Sequence, residues 1–254
     1  MHKITVSASS QTGMVRDHNE DAVLVSHQVI RDAEVNTSAL LGSNDRYVVA
    51  VCDGLGGQNA GEIASMDAAE QLEHRFQTLR PGQSIERIHQ VLKEWVKEEH
   101  CYLLASGQDD PGMEGMGTTL VALFFYEGRV CWMNCGDSRL YRLRRGILRQ
   151  LSSDHSLINI THKSTDAHVI LNCLGGGVED VYLDFEDMTS EVLQGDVFLL
   201  CSDGLTDMLK DEMIEKILNE TPSAHALTEA AIQCGGLDNV SACVVKVDSI
   251  ASAN

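Results

Sequence analysis

The chain is 254 residues long, with 43% hydrophobic and 22% charged residues. That composition is globular and excludes both a disordered chain and a collagen-like rod. Nineteen basic residues stand against 38 acidic ones, a formal net charge of −19; such a surface repels nucleic-acid phosphate and anionic lipid, which sets both aside as partners.

Ile4–Ser9 and Ala22–Ile30 read as strands, and Tyr47–Cys52 as a short apolar strand ending at Asp53-Gly54. Beyond the glycine-rich turn, Ile63, Met66, Ala69, Leu72 and Phe76 recur at helical spacing and predict a helix from Glu62 to about Phe76. Pro81-Gly82 breaks the chain. Ser84 suits the N-cap of a second helix, in which Ile85, Ile88, Val91, Leu92, Trp95 and Val96 line one face as core packing. Thr118–Tyr126 and Val130–Asn134 flank Glu127-Gly128-Arg129, a hairpin signal. Leu140–Leu143 and Ile147–Leu151 flank a second turn, Arg144-Arg145-Gly146. Val197–Cys201 is another short apolar strand running into an Asp-Gly. Helices over Asp211–Asn219 and Ser223–Cys234, then a strand over Val240–Val247, complete the chain. The pattern predicts an α+β fold whose two sheets need helix cover on their outer faces.

No linker-like stretch divides the sequence, so residues 1–254 read as one domain. No apolar run approaches the roughly 20 residues of a membrane span. Met1–Ser10 lacks the apolar core of a signal peptide, which predicts a cytoplasmic protein. The eight cysteines include no CxxC pair and sit mostly in apolar segments, so they read as reduced core residues.

Aspartates recur at strand ends: Arg16-Asp17-His18-Asn19-Glu20-Asp21, Asp53-Gly54, Gly136-Asp137-Ser138-Arg139, Ser202-Asp203-Gly204 and Asp238-Asn239. Strand ends are rigid platforms, and the loops leaving them carry sites. Carboxylates are hard oxygen ligands suited to Mg²⁺ or Mn²⁺, and a neighbouring glycine lets backbone approach an ion. The scattered histidines disfavour zinc. Any one Asp-Gly is as well explained by a tight turn, and spacing alone leaves open whether these aspartates meet in space.

The ordered set Arg16…Asn19-Glu20-Asp21, Asp53-Gly54-Leu55-Gly56-Gly57, Gly115-Met116-Gly117-Thr118-Thr119, Gly136-Asp137-Ser138-Arg139, Ser202-Asp203-Gly204 and Asp238-Asn239 resembles the metal-dependent serine/threonine protein phosphatases. These are the PPM family, or type 2C, and the likeness is to its bacterial single-domain branch, from about residue 5 to residue 248. The resemblance implies a four-layer αββα sandwich: two antiparallel sheets flanked by helix pairs, with a metal cleft at one end. It implies a cytoplasmic, monomeric signalling hydrolase that cleaves phosphoserine and phosphothreonine by attack of a metal-bridging hydroxide, without a covalent intermediate. Its partners would be phosphorylated proteins made by a bacterial serine/threonine kinase. The cofactors implied are two Mn²⁺ or Mg²⁺ ions and a third, weaker one. Asp53 would bridge the pair. Asp203 and Asp238 would hold the first ion. The Gly54 carbonyl would help hold the second, with Glu20 and Asp21 acting through bound waters. Asp137 would serve the third ion with Asp203, Asp207 would be a lesser helper, and Arg16 would bind the substrate phosphate.

Two departures stand out. Leu55 occupies the position where some relatives carry a proposed general-acid histidine, which leaves protonation of the leaving oxygen to a metal-bound water, with His155 as a second, less favoured candidate. The flap, Leu157 to Cys173, is short, and Thr161, Ser164 and Thr165 read as ordinary polar loop residues. Two competing readings remain: a binding module of the same fold without turnover, and a metal phosphohydrolase on another fold.

Overall fold

The computed structural model describes residues 1–56, 60–157, 161 and 169–250. Strand β1 (His2–Gln11) is followed by β2 (Ala22–Val25), β3 (Gln28–Ile30), β4 (Ala33–Leu41), β5 (Arg46–Cys52) and the short β6 (Gly54–Leu55). Two long helices follow, α1 (Ala60–Thr78) and α2 (Ile85–Asp109). Next come β7 (Gly117–Thr118), β8 (Leu120–Tyr126), β9 (Arg129–Cys135), β10 (Arg139–Arg144), β11 (Ile147–Gln150), β12 (Leu174–Gly175), β13 (Asp184–Asp187) and β14 (Val197–Cys201). Helices α3 (Asp203–Thr206), α4 (Asp211–Glu220) and α5 (Ala224–Gln233) precede the last strand, β15 (Val240–Ile250).

Two six-stranded sheets form, in the orders β11-β10-β14-β15-β1-β4 and β13-β9-β8-β5-β2-β3, with every pairing antiparallel. Their facing sides bury Ile4, Val6, Val23, Val49, Leu123, Phe198 and Val245 in one cluster. Period-two alternation puts the other residues of the central strands outward, where they need cover. On one sheet Leu24, Ala50 and Phe124 pack under Leu72 and Phe76 of α1 and Leu92 and Trp95 of α2. On the other, Leu199 and Val244 pack under Ile214 and Leu218 of α4 and Leu227 of α5. The layers therefore run helices, sheet, sheet, helices. Strands covered on both faces read as continuous apolar runs, as LVALFFY of β8 does.

Several boundaries differ from the sequence reading. Ala22–Ile30 is a hairpin rather than one strand, because Ser26 takes φ +57° and turns the chain with His27. β4 was not expected: it is an edge strand, mostly exposed, and carries no apolar alternation. In α1 the buried stripe is Ala60, Ala64, Ala68, Leu72 and Phe76, leaving Ile63 43% exposed. Alanines there let the helix lie close on the sheet. Ser84 caps α2 as predicted, its Oγ accepting from the Arg87 N–H at 3.3 Å. All eight cysteines are free thiols; Cys101 and Cys234 are exposed, the other six buried. No helix among the described residues is long and apolar enough to cross a membrane.

Candidate metal centre

Ladder register decides which chain ends meet. Ala22 faces Cys52, so Asp21 and Asp53 leave the same end of one sheet. In the other sheet Arg139 faces Cys201 and Cys201 faces Ala242, which sets Asp137, Asp203 and Asp238 beside adjacent strand ends. The sheets join there: Ser202 Oγ donates to Asp21 Oδ2 at 2.8 Å and accepts from the Ser241 N–H at 3.0 Å.

The backbone around Asp53 is clamped by the Gly-Thr-Thr segment. The Thr119 N–H and Thr118 Oγ1 both donate to the Asp53 carbonyl at 2.9 Å, and the Asp53 N–H donates to Thr119 Oγ1 at 3.1 Å. Gly54 is pressed between elements: a Cβ there would lie 2.3 Å from the Gly61 carbonyl oxygen and 2.4 Å from that of Glu20. At Gly204 it would lie 2.0 Å from the Asn239 carbonyl oxygen. Both Asp-Gly pairs thus need glycine for close backbone approach. Asn239 ties the loops together, accepting from the Glu20 N–H at 2.8 Å and donating to the Thr12 and His18 carbonyls at 2.9 Å.

Arg16 Nη2 donates to Asp238 Oδ2 at 2.7 Å from a half-exposed position, and the Asn239 N–H donates to Asp238 Oδ1 at 2.8 Å. Glu20 is largely covered, with His18 Nε2 at 3.4 Å from its Oε1. Asp207 is exposed and lies one helical turn after Asp203, to whose carbonyl its N–H donates at 2.8 Å.

Among the described residues, no group of three or more His, Cys, Asp or Glu side chains already stands in a metal-gripping arrangement. The electrostatics nonetheless favour a cation. Burial, reinforced by Asp21, Asp203, Asp137 and Asp238, holds the Asp53 carboxyl well above the usual range. Burial pushes Asp21 up to about 7 against its hydroxyl hydrogen bonds, with Asp203 and Asp238 adding to the rise. Burial and then Asp203 push Asp137 up to about 7. Among the described residues, Oδ1 of Asp21 and Oδ1 of Asp137 are buried without a hydrogen-bond partner. Divalent cations relieve such crowded, underbonded oxygens, so this donor set fits Mn²⁺ or Mg²⁺.

Two buttresses were missed from sequence. Arg31 Nε donates to the Asp21 carbonyl at 2.8 Å, while its Nη2 reaches the Glu62 carbonyl and Ser65 Oγ at 2.8 and 2.9 Å. Ser202 was seen only as a neighbour of Asp203. His155 is buried, and both its ring nitrogens are engaged, with Gly136, Asn172 and Asp184; it does not stand free as a proton donor. Most of the expected flap, including Ser164 and Thr165, lies outside the described residues.

A family model for protein phosphatase 2C matches residues 27–234. The serine/threonine phosphatase stp of Listeria monocytogenes is 31% identical over 93% of this chain and 93% of its own length. PstP of Mycobacterium tuberculosis is 32% identical over 95% of this chain, which spans 44% of that protein. Among solved structures, the Streptococcus agalactiae (S. agalactiae) serine/threonine phosphatase superposes with TM-score 0.81 at 25% identity, covering 96% of this chain and 99% of that one. The PstP catalytic domain in complex with two manganese ions superposes at 0.74 with 31% identity, over 97% and 100%. With the matching model spanning most of its length, the chain belongs to the protein phosphatase 2C family.

Proposed function

We propose that residues 1–254 act as one phosphatase domain that hydrolyses phosphoserine and phosphothreonine in proteins, with two Mn²⁺ or Mg²⁺ ions and a third, weaker one. The observation that carries this reading is the mutual crowding of Asp21, Asp53, Asp137, Asp203 and Asp238. In this reading Asp53 would serve both ions of the pair, and Asp203 and Asp238 would hold the first. The Gly54 carbonyl would help hold the second, with Glu20 and Asp21 acting through water. Asp137 would serve the third ion with Asp203.

Bound there, the ions supply Lewis-acid charge to the phosphoryl group and lower the pKa of water, so no covalent phospho-enzyme is required. Arg16 receives the phosphate: its planar fork suits two phosphoryl oxygens, and its half-exposed position beside Asp238 keeps it within reach of substrate. Leu55 has no ionisable proton to give and His155 is bound at both nitrogens, so protonation of the leaving oxygen falls to water. The chain works in the cytoplasm as a monomer, opposing a bacterial serine/threonine kinase.

The test is hydrolysis of p-nitrophenyl phosphate with added Mn²⁺. Asp53→Ala and Asp203→Ala should abolish nearly all turnover, as should excess chelator. Full activity in either variant or in chelator rejects the mechanism.

A further inference from the structure

The geometry points to His155 as a positioning residue that fixes the Gly136-Asp137 loop and ties it to the segment leading out of the flap region. Gly136 takes φ +135°, and a Cβ there would lie 2.6 Å from Thr119 Cβ, so the turn admits only glycine. Such a backbone persists where its surroundings over-determine it. His155 grips this peptide twice: the Gly136 N–H donates to its Nδ1 at 3.1 Å, and its own N–H donates to the Gly136 carbonyl at 3.0 Å. Asn134 Nδ2 adds a bond to that carbonyl at 3.1 Å.

The imidazole is itself held. Asn172 Nδ2 donates to Nδ1 at 2.7 Å. The orientation of that amide is set by Tyr182, whose N–H donates to Asn172 Oδ1 and whose carbonyl accepts from Nδ2, each at 3.0 Å. Two N–H donors therefore face Nδ1, which must carry a lone pair. The proton sits on Nε2, which donates to Asp184 Oδ2 at 2.9 Å. Asp184 is itself anchored in β13, opposite Asn134. The Tyr182 ring lies against the imidazole at 4.6 Å, and the Leu171 N–H donates to the His155 carbonyl at 2.8 Å. One side chain thus couples residues 171–184 to the loop that presents Asp137.

The role rests on the proposed ion at Asp137, and the experiment separates the two. Asparagine keeps an acceptor at the Nδ1 position, whereas glutamine keeps only the Nε2-type donor toward Asp184. In metal-free, chelated protein, ¹⁵N NMR of the wild type should show His155 protonated at Nε2 alone. The Gly136 amide signal should shift in His155→Ala and His155→Gln and stay near its place in His155→Asn. The Mn²⁺ concentration for half-maximal activity should rise roughly 10–100-fold in the alanine and glutamine variants, the usual cost of losing a partner behind a ligand, and recover in the asparagine variant. An unmoved Gly136 amide, or equal Mn²⁺ requirements in all three variants, overturns the inference. Asp137→Ala is the control on the ion itself: an unchanged Mn²⁺ requirement there removes the ion from Asp137, while the Gly136 amide reports the grip of His155 in either case.

Discussion

Among the described residues, Arg16 is a cation in contact with the acidic centre and open enough to exchange its partner. Its guanidinium is about half exposed and pairs with Asp238, so in the proposed function the phosphate of a substrate would compete for the same fork. Arg16→Ala should cost roughly 2–4 kcal/mol of transition-state stabilisation, the range for losing one oriented donor. Steady-state kinetics should then show a fall in kcat/KM of about 30- to 1000-fold, and an unchanged kcat/KM refutes the role. Arg16 and the five aspartates were legible because their type and order repeat a pattern tied to chemistry. Arg31, Ser202 and His155 were not legible as supports, because each acts through bonds to backbone or to another side chain across the fold. Nothing in the spacing of a lone arginine after a strand marks such a bond.

Among the elements, periodicity located those whose burial is one-sided or complete and failed at two strands of slight burial, whereas the equally shallow β11 was marked by the glycine turn before it. β8, β9 and β14 announced themselves as apolar runs, while exposed β4 and the four-residue edge strand β13 did not. The pairing of α1 with α2 hid a polar contact as well. Glu99 of α2 is 5% exposed, and burial, then a hydrogen bond from its protonated carboxyl to Asp67 of α1 and the charge of Asp67, push its carboxyl up to about 8 from an ordinary 4.5. The native state therefore keeps a proton that the unfolded chain releases above its ordinary pKa. Stability from this group is whole below about 4.5 and is lost as pH rises through about 8. Glutamine at this position cannot ionise. In thermal melts the Tm of Glu99→Gln relative to wild type should rise between about pH 6 and about pH 9. A gap that stays constant across that range shows that Glu99 does not hold the proton.

At the scale of the whole molecule, the layered sandwich sets acidic strand ends from both sheets beside one another within a chain of net charge −19. A negative surface slows the approach of anions and draws cations in, and clefts lined by one sign of charge concentrate the opposite sign. If the centre holds divalent cations and receives a phosphoryl dianion, as proposed, the field favours the first and opposes the second. A phosphopeptide flanked by arginines offsets that opposition with its own charge, whereas p-nitrophenyl phosphate has nothing to offset it. Raising ionic strength from about 10 mM to about 150 mM shortens the screening length from roughly 30 Å to roughly 8 Å. Over that range kcat/KM for an arginine-flanked phosphothreonine peptide should fall about 10-fold or more, the lower end of steered association. For p-nitrophenyl phosphate at saturating Mn²⁺ it should hold or rise, because screening removes repulsion. Both substrates carry the same reacting group to the same residues, so the opposite signs isolate the surface field from the chemistry. Parallel salt dependence of the two substrates refutes a steering role for the acidic surface.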